Sequence, residues 1–136
     1  MIHTDPPDMP EDERMTDAEF KVVREYLGVT GDWLAGFLGV TPRTLRHWET
    51  GTYLIPDTAR LALERLEQEA GEFVGVLVEK LRDARDVAVV TYRTDEDLRA
   101  AHPEVDRPAS WHRAVIARVA QEVPNLSIVY APKDDR

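Results

Sequence analysis

The stretch TGDWLAGFLGVTPRTLRHWETG, residues 30–51, leaves the backbone few choices. Gly39 follows a run of apolar and small residues and supplies the positive-φ position at which a first helix ends. Thr41 reads as an N-cap and Pro42 as the first residue of a second helix, where a missing N–H costs nothing. Gly51 stops that second helix, and Ala35 is small enough to let two crossing helices approach. Leu45 and Trp48, three apart, face inward, whereas Arg43, Arg46 and His47 fall on the other side. The spacing predicts helices over 31–38 and 42–50 joined by a tight turn. An ordinary pair of antiparallel helices does not need every one of these positions.

Length and composition narrow the classes of function. The 136 residues suffice for one domain or two very small ones. There is no long apolar run for a membrane span and no apolar signal core, so a cytoplasmic protein is expected. The absence of cysteine excludes a disulfide framework, a thiolate nucleophile and a cysteine zinc site. His102, Glu104, Asp106 and His112 are the only histidine-centred cluster, and they straddle two prolines, so no metal is expected. Ser110 and His112, two apart at a helix start, do not face each other, and no glycine-rich phosphate loop exists. Neither an enzyme nor a cofactor is expected.

The sequence Leu34-Ala35-Gly36-Phe37-Leu38-Gly39-Val40-Thr41, followed by Trp48-Glu49-Thr50-Gly51 and then Pro56, resembles the phage-repressor (Cro/cI, XRE-type) helix-turn-helix. The resemblance spans residues 16–70. The Trp-Glu-x-Gly-x-x-x-x-Pro stretch, a long helix after it and a C-terminal piece with Trp111 are similar to the anti-CRISPR-associated autorepressors. This implies a sequence-specific transcriptional repressor of bacterial or phage origin. It would bind double-stranded DNA at an inverted repeat as a homodimer and regulate its own operon.

In such a fold the second helix presents its N-terminal end to base edges. Arg43 is placed to give two hydrogen bonds to guanine O6 and N7, and the resemblance supports this residue most. Arg46 and His47, one turn on, reach bases or flanking phosphates, and Pro42 meets a thymine methyl. Gly31, Thr41 and Thr44 are expected to serve phosphates, as helix starts do, although Asp32 opposes this at Gly31. Tyr53 either reaches the phosphate backbone or packs. The resemblance also pairs Arg24 with Glu49 as a structural ion pair, not as a DNA contact.

A net charge of −9 runs against nucleic-acid binding, but its distribution matters more. Residues 1–15 hold five acids and one base, whereas 40–52 hold two arginines and one glutamate. A locally positive face on an acidic body predicts weak non-specific binding, because few phosphates are neutralised.

Along the chain, residues 1–14 are acidic and proline-rich and are expected to be a disordered tail. Met15-Thr16-Asp17 reads as a second start, with Thr16 and Glu19 forming a capping box. Phe20, Val23 and Leu27 mark a helix over 17–27, ended by Gly28. Trp33 and Phe37 either extend the core or form a surface for a partner. After the loop 51–56, Ala59, Leu63, Leu66, Ala70, Phe73, Leu77, Leu81 and Ala84 form a nearly continuous heptad seam.

Residues 87–93 read as a strand, 95–101 as a short helix capped by Asp95, Trp111 to Glu122 as a helix capped by Ser110, and 126–130 as a last strand. The two strands are expected to pair, with Trp111 and His112 anchoring a small core. The fold class expected is therefore α+β. It comprises an all-α helix-turn-helix domain over 15–69, a connecting helix over 70–86, and a small β-α-α-β dimerisation domain over 87–136. Phe73, Leu77, Leu81, Val89, Tyr92, Trp111, Ile128 and Tyr130 are the expected dimer residues. Two other readings stay open: an antitoxin whose C-terminal half holds a toxin, and an RNA-binding or interaction adaptor.

Overall fold

Four of the helices begin on a threonine whose hydroxyl accepts the backbone N–H three residues on: Thr16 from Glu19, Thr30 from Trp33, Thr41 from Thr44 and Thr94 from Asp97. Each such cap satisfies a donor that the helix itself leaves orphaned, and is worth about 1 kcal/mol. At Thr16 the box is reciprocal, since Glu19 Oε1 also accepts from the Thr16 N–H at 2.9 Å. The elements, in a computed structural model that describes residues 14–133, are α1 (Asp17–Tyr26), α2 (Gly31–Leu38), α3 (Pro42–Glu49), α4 (Asp57–Leu81), β1 (Ala88–Thr91), α5 (Asp95–Ala101), α6 (Ala109–Glu122) and β2 (Ser127–Tyr130). The class is α+β, mostly helical with one small parallel sheet. The expected tail, 1–14, lies outside the described residues except for Arg14.

The chain divides into two compact units, one ending at Glu69 and one beginning at Ala70. In the first, Phe20 of α1 is fully buried and meets Trp48 of α3 edge-on, with ring centroids 5.9 Å apart. Leu34 and Ala35 of α2 and Leu45 of α3 are buried with them. Gly39 ends α2 in the left-handed region at φ 74°. A β-carbon there would cost about 1–2 kcal/mol in backbone strain. Ile55, Ala59, Leu63 and Leu66 continue the burial into α4.

The heptad seam is only half realised. Ala59, Leu63, Leu66 and Ala70 are buried, but the line then moves to Val74 and Val78, leaving Phe73, Leu77 and Leu81 half-buried and Ala84 exposed. A strict seven-residue seam persists only along a partner helix wound around it; a helix packed on short separate elements has no such constraint. The stretch 70–86 is also not simply a connecting helix. Residues 70–81 carry side chains buried in the second unit, and α4 stops at Leu81. Asp86, in the left-handed region at φ 54°, turns the chain towards β1.

In the second unit, α5 and α6 carry the chain from the end of β1 back to the start of β2. The strands therefore pair in parallel, in register from Ala88↔Ser127 to Thr91↔Tyr130. Val115, Ile116 and Val119 of α6 are buried, and α6 lies against both strands. A smaller cluster of Tyr92, Leu98 and Ala109 packs with Val105 and Ala131. Two capping assignments change. Thr94, not Asp95, caps α5, which frees the Asp95 carboxylate to accept the Ala109 N–H at 2.8 Å. That bond serves the start of α6, so Ser110 lies inside the helix and not at its cap. Among the described residues no helix is long and apolar enough to cross a membrane.

Candidate nucleic-acid interface

The helix α3 is short and strongly two-sided. Leu45 and Trp48 are buried, while Pro42, Arg43 and Arg46 are exposed and His47 is half-buried. Pro42 occupies the first turn, whose fixed φ suits a helix start. The helix has no acid in its first turn, and Arg46 and His47 lie in its last, where the helix dipole favours positive charge. The result is a small face that carries the positive charges of Arg43 and Arg46, with His47 beside them.

The acid nearest that face is neutralised from behind. Arg24 of α1 donates through Nε to Glu49 Oε2 at 2.6 Å and through Nη2 to Glu49 Oε1 at 3.1 Å, a forked pair. Its Nη1 also donates to the Val29 carbonyl at 3.0 Å. The two side chains are 13% and 10% exposed, so the pair is largely shielded from water. The Glu49 carboxylate holds the Arg24 guanidinium above its ordinary pKa despite burial. The pair ties α1 to the end of α3 and takes a negative charge off the exposed surface.

The other expected interface residues sit at the turn and beyond. Thr41 Oγ1 accepts the Thr44 N–H at 3.2 Å, and the two hydroxyls lie 3.0 Å apart. Their first task is thus to close the start of α3. Gly31 opens α2, and a β-carbon on it would meet Leu45 Cδ2 at 3.5 Å. Tyr53 is exposed, but its ring packs on His47 with centroids 4.7 Å apart, and its N–H donates to the His47 carbonyl at 3.1 Å. His47 Nε2 in turn accepts from Arg43 Nε at 3.3 Å. Sequence spacing named these three residues one by one; their chain of contacts was not legible, because it depends on the loop 51–56 folding back on α3. Trp33 and Phe37 stack at 5.2 Å, with Phe37 exposed.

No family model matches this chain, and no curated protein matches it.

The residues expected at a dimer face divide into three groups. Tyr92 and Trp111 are buried, and Phe73 lies against the Trp111 ring at 5.4 Å and the His112 ring at 6.3 Å. Their apolar surface is used inside the second unit, because its two short strands cannot make a stable sheet without a core packed against them. Val89, Leu77 and Leu81 are half-buried. Ile128 and Tyr130 remain exposed, as do their neighbours Val90 and Val129. Arg93 lies over the Tyr130 ring at 4.2 Å. Among the described residues no group of acids or histidines is arranged to hold a metal.

Proposed function

We propose that this protein is a sequence-specific transcriptional repressor that binds double-stranded DNA through α2 and α3 acting as a helix-turn-helix. The observation that carries the reading is the cationic face of α3, with Arg43 exposed in its first turn, Arg46 exposed in its last and Glu49 withdrawn into the pair with Arg24. The left-handed Gly39, the Thr41 cap and Pro42 at the helix start support the same reading, since together they aim the first turn of α3 outward. Arg43 reads a guanine in the major groove; Arg46 and His47 reach bases or adjoining phosphates. Regulation of its own operon follows from the resemblance to the anti-CRISPR-associated autorepressors.

One such unit reads only a few base pairs, so the repressor works as a homodimer on an inverted repeat with half-sites about one helical turn apart, or a multiple of it. The uncharged, exposed residues of β2 support an interface in the second unit. The test is enrichment of bound sequences from random duplexes, followed by titration of the enriched site. Wild type should enrich an inverted repeat, with a log–log salt slope of about −5 to −7 for roughly 6–8 phosphates. Arg43→Ala should lose about 1–3 kcal/mol per half-site and relax preference at one guanine. Enrichment of no sequence would reject the reading. Binding to a structured RNA but not to duplex DNA would point to the adaptor, and co-purification with a second protein to the antitoxin.

A further inference from the structure

Arg43 is not a free side chain. Its Nε donates to His47 Nε2 at 3.3 Å, one helical turn along the same exposed face. His47 is itself held from behind: the Tyr53 ring packs on the imidazole at 4.7 Å, and the Tyr53 N–H bonds to the His47 carbonyl. Among the described residues the two terminal nitrogens of Arg43 have no partner.

A guanidinium can meet guanine O6 and N7 in two ways, end-on through both terminal nitrogens or side-on through Nε and one terminal nitrogen. The bond to His47 occupies Nε and leaves only the end-on fork. We propose that His47 is a positioning residue that sets the base specificity of Arg43: it fixes the end-on geometry, and Tyr53 holds His47 in place. This rests on the DNA-binding reading above. An exposed arginine ordinarily loses much rotamer freedom on docking. Here the ordering falls on folding, so more of the contact is kept for discrimination. The bond also requires His47 Nε2 to be an acceptor, with the ring proton on Nδ1.

Side-chain reach supplies the discriminating variants. The carboxamide oxygen of glutamine lies as many bonds from Cα as His Nε2, whereas that of asparagine lies one bond short. His47→Asn should weaken preference at the Arg43-dependent guanine about fivefold or more, the lower end of what one bidentate pair provides. His47→Gln should restore the preference. In an Arg43→Ala background, His47→Asn should change nothing further at that base pair. Replacing that guanine by 7-deazaguanine, which keeps O6 but lacks the N7 acceptor, should likewise shrink the difference between wild type and His47→Asn.

Nitrogen NMR of the DNA-free protein tests the contact independently and should find the His47 Nδ1–H tautomer with Nε2 unprotonated. Finding the proton on Nε2, or additive effects of the two substitutions at the guanine, overturns the positioning role while leaving DNA binding intact. If wild type enriches no sequence even though the tautomer is as expected, the DNA-binding reading itself has failed and the specificity role goes with it.

Discussion

The imidazole of His112 makes the second unit acid-labile, and the size of the effect follows from its surroundings. The ring is buried on α6, Nδ1 lies 2.7 Å from the Thr91 hydroxyl of β1, and the Tyr92 and Phe73 rings flank it at 5.1 and 6.3 Å. A hydroxyl can donate or accept, so the bond to Thr91 survives in either protonation state. Burial is what penalises the charged form most, with the positive charges of His102 and Arg113 adding to it, and the pKa falls from 6.5 to about 4. An unfolded chain takes up the proton at the ordinary value and the folded one only near 4. The unfolded state therefore binds more protons in that window, and stability rises with pH. The stabilisation is complete above pH 6.5 and is lost by about pH 4, a total of about 3 kcal/mol.

Urea unfolding of the full chain at intervals from pH 7.5 to 4.5, followed by fluorescence, measures the slope. A proton NMR titration assigns it, with the His112 signal identified by its absence in His112→Asn. That variant should lose most of the pH dependence in this window, at the cost of a repacked core. If the His112 signal titrates near the ordinary histidine value in the folded protein, the inference from burial is wrong.

Glu49→Ala leaves the Arg24 guanidinium shielded and without its carboxylate, and should cost about 3 kcal/mol, seen as a lower melting temperature. Gly39→Ala meets no neighbour but forces a β-carbon into the left-handed region, and should cost about 1 kcal/mol by urea titration. Gly36→Ala, in open space inside α2, should instead stabilise by about 0.5–1 kcal/mol. Ser127 N–H donates to the Val87 carbonyl and Ala131 N–H to the Thr91 carbonyl, so strand alternation points the backbone groups of Ile128 and Tyr130 away from β1. If the proposed homodimer pairs through that edge, wild type should sediment as a dimer at micromolar concentration and Ile128→Lys as a folded monomer. An unchanged dimer would place the interface elsewhere.

Local chemistry was enough to read much of this protein from its residues. The threonine caps, the left-handed glycines and Pro42 act within one turn of the chain, so they placed α1, α2 and α3 to within a residue or so. The inward side of α3 followed from helical spacing for the same reason. Features that depend on distant neighbours were not legible. Whether Asp95 caps its own helix or the next one depends on where the loop 103–108 returns. Whether Phe73, Tyr92 and Trp111 face a partner or one another depends on how much core a two-stranded sheet can supply. The coupling of Arg43 to His47 and Tyr53 belongs to this second kind: the sequence determined that three such side chains lie near α3, but only the folded loop decided that they touch, because a contact between rings is settled by packing and not by spacing.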